Sequence, residues 1–179
     1  MKALSFLSPN TTPLAKHAFS KVELEQCADG LLFGAGNAQL PTSPLLMLDR
    51  IVDIQATGGE YGRGYAIAEI DIDPSKWYVK SHFKADPVMP GSLLAEAVWQ
   101  LSGFHLAWSG YKGKGRILDS GNTRFIEPVL GTNNVTLIVT IHVRKVFINR
   151  NPMAISDGDI RHSKGIVCLS KKVSIGLFN

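Results

Sequence analysis

Hydrophobic and polar residues alternate with a period of two over long stretches of this chain. From Asn134 to Ile148, Val135, Leu137, Val139, Ile141 and Val143 fall on one face, with Thr136, Thr140, His142 and Arg144 mostly on the other. That is the pattern of a half-buried strand. Tyr65 to Ile72 alternates small or apolar residues with Glu69 and Asp71 and predicts a second strand. Ile117 to Val129 and Ala154 to Leu177 predict further strands, the latter broken by turns near Asp157-Gly158 and from His162 to Gly165. Leu45 to Ile54 is mostly apolar but carries Asp49 and Arg50, and periodicity does not decide between strand and short helix. Ser20-Lys21-Val22-Glu23 has the spacing of a capping box, so a short helix should run to about Asp29 and stop at Gly30. Between these lie the Gly34–Asn37 loop and two prolines, Pro41 and Pro44, that exclude helix.

One segment breaks the period of two. Pro90-Gly91 opens a run rich in Leu and Ala, predicting a helix over about 91–109, and Gly110 follows its end. This helix is apolar almost all round and should be buried, with the sheet wrapped about it. One long central helix with antiparallel strands gives an α+β class. No internal repeat divides the chain, so residues 20–179 read as one domain. Residues 1–19, flavoured by Ser, Thr and Pro, read as a mobile tail whose apolar cluster, Ala3 to Leu7, is too short for a signal-peptide core.

Composition narrows the classes. Apolar residues make up 45% of the 179 and charged residues 19%, which excludes intrinsic disorder. Two cysteines, Cys27 and Cys168, exclude a disulfide scaffold and a cysteine-built zinc site, and fit a reducing, cytoplasmic setting. Nineteen basic minus fifteen acidic residues leaves +4, evenly spread. Without Lys/Arg blocks, no nucleic-acid partner is expected, while an acidic protein partner fits. From Pro87 to Tyr111 the only formally charged residue is Glu96. A carboxylate at mid-membrane costs about 2.5–3.5 kcal/mol, and Gln100 and His105 interrupt the run further. A buried helix is therefore expected, not membrane insertion.

A carboxylate inside an apolar helix needs a reason. Ser92, Glu96 and Gln100 stand at i, i+4 and i+8 and form one polar stripe. Burial disfavours a charged carboxyl, so Glu96 suits a proton donor; the alternative is a structural Glu satisfied by hydrogen bonds. His82, nine residues before the helix, is either a general base or an ordinary loop histidine. His17, His105, His142 and His162 lack metal-type spacing, and nothing in the sequence calls for a metal or another cofactor. The Pro90-Gly91 helix start offers free N–H groups suited to a developing oxyanion, although it is also plain helix punctuation. Together, His82, the Gly91 amide and Glu96 supply base, oxyanion donor and acid. That set suits proton abstraction next to a carbonyl with loss of a hydroxyl.

The stretch His82-Phe83-x-x-Asp86-Pro87-Val88-Met89-Pro90-Gly91, followed by Trp99-Gln100-Leu101-x-Gly103-Phe104, resembles the signature of the bacterial β-hydroxydecanoyl-acyl-carrier-protein dehydratase/isomerase family. Leu32-Phe33-Gly34, Asn37 to Pro41, Leu46 to Arg50, Asp73-Pro74-x-x-Trp77 and Gly176-Leu177-Phe178 extend the resemblance from about Asp29 to the C-terminus. The resemblance implies a hot-dog fold and a homodimer whose active sites are shared between chains. It gives His82 the base role, Glu96 of the other chain the acid role, and Gly91 with Val88 the oxyanion and substrate-binding positions. It implies an acyl carrier protein as partner, docked by Arg144, Lys145 and Arg150, with Asn149 where a further arginine is expected. Two positions depart from the isomerising members: Glu96 replaces aspartate and Ser92 replaces cysteine. Glutamate is the choice of the related dehydratase-only branch, so 3-hydroxyacyl-carrier-protein dehydration in fatty acid or related lipid synthesis is expected, with isomerisation weak or absent. Two alternatives are another hot-dog thioester enzyme, such as a thioesterase, and a non-catalytic acyl-binding subunit.

Overall fold

The period-two segments form strands, and the Leu/Ala-rich segment forms the one long helix. The computed structural model describes residues 12–132 and 134–179. In chain order the elements are α1 (Lys21–Ala28), β1 (Arg50–Gln55), β2 (Tyr65–Ile72), a 3-10 turn (Trp77–Lys80), α2 (Gly91–Trp108), β3 (Lys114–Asp119), β4 (Asn122–Phe125), β5 (Val135–Phe147), β6 (Met153–His162) and β7 (Gly165–Phe178). The strands make one antiparallel sheet in the order β1-β2-β5-β6-β7-β3, with β4 also paired to β7. The sheet wraps around α2, the hot-dog arrangement that the resemblance implies.

Alternation explains the sheet's two faces. On β5, Leu137, Val139, Ile141 and Val143 are all buried, while Ile138 faces out. On β2, Ala66, Ala68, Ile70 and Ile72 are buried, and Glu69 and Asp71 bind Arg50 from the outer face. Leu101, Phe104 and Trp108 of α2 meet this face in the core. Each such side chain contributes about 1.5–3 kcal/mol on burial, so packing and not helix propensity fixes α2 in place.

The capping box at α1 forms as expected: the Ser20 amide and hydroxyl donate to Glu23 Oε2 at 2.9 and 2.8 Å. The undecided segment from Leu45 to Ile54 resolves as irregular chain followed by β1. The turn expected at Asp157-Gly158 does not form; β6 runs through it with a bulge opposite β7. Asp157 turns inward and accepts from the Lys172 amide at 2.9 Å and the Tyr61 hydroxyl at 2.7 Å. Burial opposes its charge, but these donors and Lys171 hold its carboxyl below the usual range. Gly158 answers a close approach, since a Cβ there would lie 2.7 Å from Val98 of α2.

Part of the N-terminal segment makes defined contacts with the core. Residues 1–11 of it lie outside the described residues, but residues 12–19 are packed along β1 and the end of α2. Phe19 is buried and exchanges backbone hydrogen bonds with Ile51 at 2.8 and 2.9 Å. The Trp108 indole N–H donates to the Lys16 carbonyl at 2.7 Å, and His17 Nδ1 donates to the Ile54 carbonyl at 2.7 Å. Backbone hydrogen bonds, the buried Phe19 and the His17 imidazole together hold this polar-looking segment, which composition does not reveal.

Candidate active site

The first half of the site is built on loop backbone. After the 3-10 turn, the His82 amide donates to the Tyr78 carbonyl at 2.8 Å, and the Val88 amide closes the loop onto the His82 carbonyl at 2.8 Å. Met89 then ties the loop to Val129 at 2.8 Å. The half-buried His82 ring stacks on Phe83, centroids 4.0 Å apart, and its Nδ1 lies 3.0 Å from the Val88 carbonyl. A carbonyl can only accept, so Nδ1 carries a hydrogen, and in the neutral ring the lone pair then sits on Nε2, the arrangement a general base needs. Gly91 begins α2, and its N–H has no i−4 carbonyl to meet. His82, Val88, Gly91, Leu94 and Phe125 line one groove. Val88 keeps a place on its wall, with its amide bonded to the His82 carbonyl and its own carbonyl on His82 Nδ1.

The second half is built on helix. Gln100 is buried, accepts from the Met47 amide at 2.9 Å, and donates to the Leu45 carbonyl at 2.8 Å and to Glu96 Oε1 at 2.9 Å. The irregular 45–49 segment thus anchors the amide that holds the carboxyl. Ser92 does not join this pair and lies exposed on the first turn. Glu96 is half-buried and lines a cavity of about 160 Å³ with Phe33, Leu40, Trp99, Gly103 and Ile175. Cys27 sits in the same wall, its thiol pushed up to about 11 by burial. The Trp99 indole N–H is buried with no partner among the described residues.

Within one chain the two halves line different cavities. Glu96 stands five positions after Gly91 on the helix, which turns it about 140° from the glycine and moves it about 7.5 Å along the axis. His82, Val88 and Gly91 are brought together; Glu96 faces a different cavity. Both openings nevertheless flank the β3–β4 edge. Gly115 to Ile117 form part of the cavity wall, and Phe125 to Val129 form part of the groove wall. Ile117, Leu118, Phe125 and Ile126 are exposed there, and β3 is the last strand of the sheet path. The sequence places these apolar residues in strands but does not show that they face outward.

The three basic positions separate. Arg144 is engaged: it donates to the Tyr61 hydroxyl at 2.9 Å, pairs with Asp157 at 3.4 Å and lies over the Tyr61 ring. Lys145 is exposed, with its ammonium over the Phe147 ring, and Arg150 is exposed in the β5–β6 turn. Gln100 is the functional candidate whose role the sequence understated; its place in the Glu96 stripe was the available signal. The partnership with Leu45 and Met47 is long-range and has no local signature.

A long helix opening on glycine and seated in a wrapped antiparallel sheet defines the hot-dog class of fold. The FabA-like domain family matches residues 40–171, and the chain belongs to that family. The structure is similar to a chain of the dehydratase heterocomplex ApeI:P from Xenorhabdus doucetiae, with a TM-score of 0.56 and 13% identity over 76% of this chain and 86% of that one. It is also similar to a hypothetical thioesterase with coenzyme A from Streptococcus pneumoniae TIGR4, with a TM-score of 0.51 and 15% identity over 72% and 84%. At these identities the likeness speaks for the hot-dog fold alone. Among the described residues, no helix is long and apolar enough to cross a membrane.

Proposed function

We propose that this protein is a 3-hydroxyacyl thioester dehydratase acting as a symmetric dimer. The observation that carries the reading is the placement of two complementary half-sites beside one exposed apolar sheet edge. A second copy docked on that edge by a twofold axis sets its Glu96 cavity against the first copy's His82 groove. His82 Nε2 takes the proton from C2, and the C2–H electrons form the C2–C3 double bond. The C3–O bond breaks, and the departing hydroxyl takes a proton from Glu96 of the partner subunit and leaves as water. The Gly91 N–H faces the thioester carbonyl, where negative charge develops. The proton then passes from His82 back to the Glu96 carboxylate to restore the site. No cofactor enters this balance.

The acyl group is proposed to arrive on an acyl carrier protein in fatty acid or related lipid synthesis. Lys145 and Arg150 are the available cations, and Arg144 supports the strand through Asp157. Isomerisation of the 2-enoyl product is proposed to be weak or absent. Glu96 carries one more methylene than aspartate, and a carboxyl misplaced by roughly 1 Å can cost about 10²-fold. Supplying trans-2-decenoyl thioester and measuring the cis-3 isomer checks this; formation as fast as dehydration contradicts it.

The test of the reaction itself is incubation with 3-hydroxyoctanoyl-pantetheine. Dehydration gives a conjugated, ultraviolet-absorbing enoyl thioester without free thiol. Release of free thiol would instead establish a thioesterase, and binding with neither product would establish an acyl-binding subunit.

A further inference from the structure

Helix α2 carries two glycines in opposite surroundings. A Cβ on Gly91 would lie 3.2 Å from three atoms of the Phe125 ring, so this glycine answers a close contact. Gly103 answers none. Its φ lies outside the left-handed region, and a Cβ built there would meet only Ile175 Cγ2, at an ordinary 3.6 Å. Neither backbone conformation nor packing requires glycine at 103. In a helix interior, glycine is less stable than alanine, so the fold alone would favour a side chain.

What the missing side chain leaves open is the cavity. Gly103 stands two turns beyond Glu96, at i+7, which puts it on the same helix face about 10.5 Å further along. Glu96, Trp99 and Gly103 line that one cavity. Its volume, about 160 Å³, is close to that of a void that admits a benzene ring, room for about six carbon atoms. At that size a single added methyl group is a sizeable fraction of the free space.

We propose that Gly103 is a chain-length-determining position: the acyl tail runs from Glu96 past Trp99, and its far end lies against the bare face of α2 at residue 103. This rests on the acyl-thioester reading above. The residue acts by leaving space and takes no part in proton transfer.

The test compares Gly103→Ala and Gly103→Leu with the unsubstituted protein on 3-hydroxybutanoyl-, 3-hydroxyoctanoyl- and 3-hydroxydodecanoyl-pantetheine. The readout is the ratio of kcat/KM for each longer chain to that for butanoyl. In Gly103→Ala the ratio should fall about fourfold, the equivalent of one methylene's burial. In Gly103→Leu it should fall by roughly 10–200-fold. Meanwhile the melting temperature of Gly103→Ala should rise by about 2–4 °C, as for an unstrained helix-interior glycine. An unchanged ratio in Gly103→Ala, or an equal loss on all three chains, overturns the proposal whether or not the leucine variant folds. If the unsubstituted protein dehydrates none of the three, the proposed reaction fails separately. Titration of the unreactive butanoyl, octanoyl and dodecanoyl thioesters, followed by tryptophan fluorescence, still reads length selection. Affinity losses confined to the longer chains then support the role of Gly103, and uniform losses contradict it.

Discussion

The groove around His82 and the cavity around Glu96 are assembled by opposite means. His82 is aimed by main-chain carbonyls and amides in a loop whose side chains, from Phe83 to Asp86, are exposed. Glu96 projects from a helix seated in the core and is held by one buried side-chain amide, Gln100. Beyond Phe83, whose ring stacks on the imidazole, side-chain substitutions in this loop therefore have little to disturb. Around Glu96, a single substitution can dislodge both the acid and the 45–49 segment.

The largest expected effect removes either half. His82→Ala and Glu96→Gln should each lower dehydration by about 10²–10⁴-fold, the usual contribution of a general base or acid. Circular dichroism and size-exclusion chromatography should show both variants folded and dimeric. Near-normal turnover in either would break the mechanism, whereas unfolding of Glu96→Gln would make that residue structural.

Next comes Gln100→Leu, which sharpens the contrast. Its loss leaves the Met47 amide and Leu45 carbonyl without their partner, at a cost of about 1–3 kcal/mol in urea unfolding. The acid also loses its support, so kcat should drop by about 10²-fold while KM changes little. Loss of stability without loss of kcat would show that Glu96 positions itself.

Acid should weaken the seat of α2. His105, buried near its end, donates to the Gln55 carbonyl at 3.0 Å, and burial pushes its pKa from 6.5 down to about 4. Between those values the unfolded chain binds a proton that the folded chain does not, so stability falls as pH falls through this window. The contribution is complete above pH 6.5 and lost near pH 4, and amounts to about 3 kcal/mol. Urea unfolding at pH 7 and pH 4.5 checks it; equal stabilities would contradict it.

The smallest effect leaves both halves intact. Reversing Lys145 and Arg150 to glutamate should raise KM for carrier-bound substrate by up to about tenfold, and spare a pantetheine thioester. An equal rise on both substrates would count against a docking role.

The same contrast explains what was legible in the sequence. Period-two alternation marks β2 and β5, and Pro90-Gly91 with Gly110 marks α2, because these patterns are local. The Asp157-Gly158 pair has turn chemistry, yet distant Tyr61 and Lys172 draw the aspartate inward and make a bulge. Residues 12–19 have a tail's composition, but carbonyls and amides invisible to composition bind them to Ile51, Ile54 and Trp108. His82, Gly91 and Glu96 could be picked out one by one. Their separation into two cavities depends on the turn of α2 and on which strands wall each side, and neither is written in the motif.

In the proposed dimer a working site takes His82 from one chain and Glu96 from the other. Mixing the inactive His82→Ala and Glu96→Gln proteins by co-expression tests it directly. In a random mixture half the dimers are hybrid, and each hybrid holds one site with both groups intact. Dehydration should therefore recover to about a quarter of the unsubstituted level, as twofold symmetry requires. If the hybrid is purified through two different affinity tags and remains as inactive as its parents, the two groups act within one chain and the shared-site account is wrong.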